Sequence, residues 1–218
     1  MGRAVEGYFA VQLGAELKFG AGHGVSWRSL ARSSRWGERS RCHARHRAPE
    51  PWASREMKAI VQEKYGSPDD LELRDVDKPT VADDDVLVRV RAASVHPDVW
   101  HVVIGRPYVL RLMGAGFAKP RNPIPGTDMA GIVESVGRGV TRFRQGDEVF
   151  GETIATHQWT NGGAFAEYVS VREGWLALKP GNVTFEQAAA VPTSGFIALH
   201  NLRDASQVGP GRKVLING

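Results

Sequence analysis

From position 57 onward, short apolar runs alternate with turn residues at a spacing that predicts strands. Met57-Lys-Ala-Ile-Val-Gln-Glu63 reads as one strand and Leu71-Glu-Leu-Arg-Asp-Val76 as the next, with Gly66-Ser-Pro-Asp-Asp70 turning between them. Residues 86–92 alternate with period two. Val86, Val88, Val90 and Ala92 fall on one face and Leu87, Arg89 and Arg91 on the other, the pattern of a half-buried antiparallel strand. Met129–Val136, Gly146–Gly151, Ala164–Val171 and Trp175–Leu178 continue the series, each bounded by glycine or proline. Six or seven short strands punctuated in this way predict a compact, partly open β-barrel.

Helical patterns interrupt the series twice. Asp98 to Ile104 has Pro97 at its entrance and Gly105 at its exit, with Asp98 the expected cap. Residues 106–125, with four prolines and two glycines, form a long loop. Thr184 precedes Phe185–Val191 as a helix cap, Pro192 interrupts, and Ser194 to Asp204 resumes a helix on which His200 is expected to pack. Gly209-Pro-Gly211 then leads to Lys213–Asn217, an apolar run of the kind buried on both faces of a parallel sheet. The fold class expected is mainly β with α. Three regions follow: a basic, largely disordered extension over 1–56, a barrel domain over 57–183, and a helix plus first strand of an α/β unit over 184–218. That last strand would lack neighbours, so residues from about 205 onward are expected to pack poorly.

Charge sharpens the first boundary. The 218-residue chain has a net charge of +4, but residues 1–56 hold ten Lys/Arg against five Glu, while the remainder is nearly balanced. Seven arginines crowd residues 28–47 without helical or strand period. An Arg-rich transit peptide and a metal site from Cys42, His43 and His46 are functional readings of this segment; solvated upstream chain is the plain one. The body shows no electrostatic footprint for phosphate backbones, so no nucleic-acid partner is expected. Cys42 is the single cysteine, which excludes an intrachain disulfide and fits a reducing, cytoplasmic setting. No apolar run approaches a membrane span, and no membrane partner is expected.

Several stretches carry a family resemblance: Val88-Arg-Val-Arg-Ala-Ala-Ser-Val-His-Pro-Asp98, Pro125-Gly-Thr-Asp-Met-Ala-Gly-Ile-Val-Glu-Ser-Val-Gly137, Gly146-Asp-Glu-Val-Phe-Gly151, Gly162-Gly-Ala-Phe-Ala-Glu-Tyr168, Ala188-Ala-Ala-Val-Pro-Thr193 and Gly209–Gly218. In this order the chain resembles the medium-chain dehydrogenase/reductase superfamily, and more narrowly its zinc-free quinone-oxidoreductase-like branch. The resemblance implies a GroES-like domain truncated at the start of a Rossmann domain. It implies hydride transfer from NADPH or NADH, with NADPH favoured, to a small-molecule carbonyl or enone, in a quinone or enone reductase or an alcohol dehydrogenase-like enzyme. A homodimer is implied for the full-length protein, and this chain alone is expected to be inactive. The alternative is a non-catalytic GroES-like fragment or binding module.

Zinc is argued against by the ligands. A catalytic zinc in this superfamily takes a cysteine at the place of His96 and a His-Glu pair at the place of Thr127-Asp128, and the body has no cysteine. Without a metal, hydrogen-bond donors must polarise the substrate carbonyl. By resemblance, His96 and Tyr108 are the catalytic candidates, Trp100 and Tyr108 the substrate-binding ones, and His96, Thr193 and Gly218 the cofactor-binding ones, with no metal ligand. Two readings of His96 stand, a donor to cofactor or substrate and a structural junction residue. Arg142 and Arg144 read as solvated loop charges.

Overall fold

In the computed structural model, residues 9–12, 56–109, 111–154, 160–206 and 208–215 are described. The sheet is built on β4 (Asp85–Val95), an eleven-residue strand. Its expected alternation is present where it matters: Val86, Val88 and Val90 are buried and Arg89 and Arg91 exposed. Leu87 is also buried, a departure from the alternation, and antiparallel β5 (Asp128–Val136) and β7 (Tyr168–Arg172) flank β4 on its two edges. β6 (Glu148–Glu152) pairs with β5, and β8 (Leu176–Leu178) with β6. A strand not anticipated by sequence pattern, β1 (Phe9–Gln12), pairs with residues 92–95 of β4. The rest of the basic extension, including Cys42, His43 and His46, lies outside the described residues.

The hairpin of β2 (Glu56–Val61) and β3 (Glu72–Asp77) forms a second, two-stranded sheet. It is stitched to the main sheet by backbone bonds from Ile60 N to Phe165 O (2.8 Å), from Glu167 N to Lys58 O (3.0 Å), and by a bridge between Ala59 and Ala166. The two sheets do not close into one ring, so the architecture is the expected partly open barrel. Its core unites Val86, Val88, Met129, Val133, Val149 and Phe165. Gly131 lies where a side chain would press on the Arg89 carbonyl at 2.3 Å, which lets β4 and β5 approach.

α1 (Pro97–Ile104) starts with proline at its first position and ends at Gly105, whose φ of 65° is the left-handed conformation that favours glycine. The expected cap is corrected: His96, not Asp98, occupies the N-cap position, and it makes no side-chain capping bond. α2 (Phe185–Ala189) opens on the predicted Thr184 with a full capping box, Gln187 returning the bond. Ala188 and Ala189 pack on Ala92 and Ala130, small residues that let the helix lie close to the sheet. Lys179, buried to its amino group, pairs with Glu148 at 3.0 Å and donates to Val183 O at 2.8 Å, fixing the approach to α2.

α3 (Pro192–Leu199) continues into a wide turn over His200–Ala205. The expected packing of His200 is corrected. It is exposed, stacked on Phe196 with ring centroids 6.1 Å apart. Beyond it, residues 208–215 form no strand, and Val214 and Leu215 are exposed, in line with the poor packing expected from about 205 onward. Arg142 is likewise not a free loop charge. Its guanidinium donates to Glu173 O (3.2 Å) and Leu176 O (3.3 Å), while Glu173 accepts from the Thr141 and Arg142 backbone.

Candidate functional site

Four elements end at one place. β4 delivers His96 just before Pro97 turns the chain into α1; Gly126 turns the chain so that Thr127 and Asp128 enter β5; β6 ends at Glu152; and α3 begins at Pro192-Thr193. Each is a junction where backbone groups lose their regular partners, so polar side chains gather there.

Asp128, fully buried, is the hub. Its carboxylate accepts the Thr193 backbone N–H at 2.8 Å and the Thr193 hydroxyl at 2.7 Å. The N-cap residue of α3, Val191, supplies no side-chain cap, so a carboxylate from β5 satisfies a first-turn donor in its place and lies at the positive end of the helix dipole. The Thr127 hydroxyl also donates to Asp128, at 3.2 Å. Having given its single proton there, it can only accept from His96 Nε2, 2.6 Å away, and the imidazole hydrogen is thereby placed on Nε2. The chain of bonds runs His96 to Thr127 to Asp128, with Thr193 bonded to the same carboxylate. Thr153 closes the floor, its N–H and hydroxyl both donating to Thr127 O, at 2.7 and 2.9 Å.

Two more carboxyl groups face this hub. Glu152 sits opposite Asp128 in the β5–β6 register. Burial, then the charges of Asp128 and Asp98, push its carboxyl up to about 7. Asp98 Oδ2 lies 3.9 Å from His96 Nδ1, too far for a hydrogen bond.

Of the residues singled out by sequence, His96 and Thr193 are thus brought together through Thr127 and Asp128. Trp100 and Tyr108 are not members of this network. Trp100 is exposed and edge-on to His101. Tyr108 is exposed, its ring flanked by the guanidinium groups of Arg106 at 5.6 Å and Arg111 at 5.0 Å. Gly218 lies outside the described residues. Sequence reasoning weighed Thr127 and Asp128 only as places where zinc ligands would stand, and it passed over Glu152. The available signal was a Gly-Thr-Asp entry into an otherwise apolar strand, a polar pair that must find buried partners.

An antiparallel, partly open sheet whose strand ends gather a buried polar network is the architecture of a GroES-like domain. Residues 82–181 match the family described as alcohol dehydrogenase GroES-like domain. A 2-methylene-furan-3-one reductase of Solanum lycopersicum is 34% identical over 166 residues, which cover 75% of this chain and 41% of that protein. A quinone oxidoreductase of Sus scrofa is 35% identical over 164 residues, covering 74% and 45%. Among solved structures, the quinone oxidoreductase from Coxiella burnetii superposes with a TM-score of 0.61 at 31% identity, over 69% of this chain and 45% of that one. The chain thus carries an alcohol dehydrogenase GroES-like domain over residues 82–181 and is similar to quinone-oxidoreductase-like members of the medium-chain dehydrogenase/reductase superfamily. It spans less than half the length of these relatives.

Proposed function

We propose that residues 57–218 supply the substrate-side half of an NAD(P)H-dependent oxidoreductase that reduces a quinone, carbonyl or conjugated double bond without zinc. The observation that carries this reading is the Asp128-centred network at the mouth of α3. It sets Thr193 with its proton committed to Asp128 and its remaining lone pairs free to accept, which suits the amide N–H of a nicotinamide carboxamide. The cofactor would supply the hydride; the protein's part is to hold it in close, oriented approach to the substrate. Relatives named as NADPH-dependent alkenal/one oxidoreductase and quinone oxidoreductase support the substrate class.

The donor set argues against zinc at this place. Both Asp128 oxygens are occupied by threonine donors, His96 Nε2 is turned to Thr127, and no cysteine is among the described residues. His96 is better read as the residue that positions Thr127 and Asp128 than as a donor to substrate, since its ring is buried and its Nε2 hydrogen is spent. Trp100 and Tyr108 offer exposed aromatic surface beside α1, with the Tyr108 phenol as proton source.

The test is NADPH oxidation, followed at 340 nm with a benzoquinone and an α,β-unsaturated ketone. It is run on the 218-residue chain and on a chimera joining it to the cofactor domain of a quinone oxidoreductase. Turnover is expected in the chimera and not in the chain alone. A folded chimera that binds NADPH yet reduces neither acceptor would leave the second reading, a non-catalytic GroES-like module.

A further inference from the structure

The loop leaving α1 has an unusual surface. Between Asp98 and Asp128 the sequence contains no carboxylate, while Arg106, Arg111, Lys119 and Arg121 all fall within it. Interleaved with these cations, Val109, Leu112 and Phe117 are exposed, Leu112 to 74% and Phe117 to 77%. The loop is held in this form. Tyr65 Oη donates to Gly116 O at 2.7 Å, Arg111 Nε donates to Gly105 O at 3.0 Å, and the Arg121 N–H reaches Ala115 O at 2.9 Å. The Arg111 guanidinium also lies 4.3 Å from the Tyr65 ring centroid. Val109, Leu112 and Phe117 are thus presented outward from a backbone held at these points. A charged neighbour outside the loop, Glu63, is already bonded to Arg74.

We infer that this loop is a membrane-docking surface that seats on an anionic lipid bilayer, with Val109, Leu112 and Phe117 entering the headgroup region and Arg106, Lys119 and Arg121 meeting lipid phosphates. The chemistry favours this occupant. Large apolar tips gain by leaving water, and each nearby cation adds attraction to an anionic leaflet. A nucleic acid would use the cations and aromatic faces but not the aliphatic tips, and the Tyr108 ring is already flanked by two guanidinium groups. No described helix is long and apolar enough to cross a bilayer, so the association is peripheral. The surface shares its loop with Tyr108 but rests on other side chains, so its test does not depend on the hydride-transfer reading.

The test is flotation of the purified 218-residue chain with vesicles of phosphatidylcholine alone and of phosphatidylcholine with phosphatidylglycerol. Partition is expected into the anionic vesicles. Lys119→Ala with Arg121→Ala should weaken it about tenfold or more, and high salt should weaken it similarly. Leu112→Ser with Phe117→Ser should also weaken it about tenfold or more, an effect salt does not mimic. Both pairs replace exposed side chains, and unchanged thermal melts establish that they fold. Partition that ignores both pairs belongs to the Arg-rich residues 28–47 and overturns the proposal. So does an absence of partition, a preference for duplex DNA, or self-association lost in the same variants.

Discussion

The strand-rich body and the segment from α3 to Leu215 use similar apolar residues with opposite results. In β4 and β5, Val86, Val88 and Met129 are wholly buried. In the later segment Phe196, Ile197, Leu199, Val214 and Leu215 are exposed, Leu215 to 92%. The difference is one of neighbours. β4 has a partner along each edge and a helix or hairpin over each face, so its side chains leave water as a group. In the later segment only the start of α3 meets the sheet, through Thr193 and Asp128, and the apolar side chains beyond it have no cover among the described residues. An apolar run stabilises only when something covers it, and sequence hydrophobicity does not report the cover.

Four substitutions sharpen that contrast, in descending order of effect. Met129→Ala, at the centre of the core, should cost about 2–5 kcal/mol of unfolding free energy in urea titration, from lost transfer and the cavity left behind. A cost under about 1 kcal/mol would mean the two regions do not differ as described. Asp128→Ala should cost about 1–3 kcal/mol, because it strips the buried Thr127 and part-buried Thr193 donors of their acceptor. Its signature is local: hydrogen exchange at the Thr193 amide should speed up while the β4 amides stay protected. Glu152→Gln probes the half-buried carboxyl at the end of β6. With its folded pKa raised to about 7, Glu152 binds its proton more tightly folded than unfolded. Its relative contribution is fully present below the ordinary carboxylate range near 4.5 and is lost as pH rises through 7. The glutamine variant should therefore unfold at higher denaturant than wild type at pH 8, by on the order of 1 kcal/mol after allowing for partial exposure, and match it near pH 4. Phe196→Ser should change stability by no more than about 0.5 kcal/mol, since Phe196 is already exposed; a larger loss would show that α3 is covered in solution.

Legibility followed the same division. The period-two alternation of 86–92 predicted β4 because one face had to be buried whatever lay on it. The proline before and the glycine after α1, and the Thr184 capping box, were readable because they act within a few residues. His96 and Thr193 could be singled out by residue type and position, yet their relation could not. They are 97 positions apart and meet through Asp128, whose partners are set by which distant residues the fold brings to it. Glu152 was passed over for a similar reason. Its raised affinity for a proton comes from burial opposite Asp128, a register relation between two strands. Even the misread cap at Asp98 has this form: its side chain faces the buried polar cluster, near His96, instead of turning back on its own helix.

What the sequence alone determined is therefore local: which stretches become strands and helices, where each begins, and that no cysteine-based metal site exists in the body. Those outcomes depend on backbone preference and side-chain periodicity, which act over a few residues. Tertiary structure alone decided which apolar runs are covered, which threonines and carboxylates share protons, and which loop holds its cations and apolar tips toward solvent. Those outcomes depend on distances between residues far apart in the chain, where burial sets the strength of every polar contact.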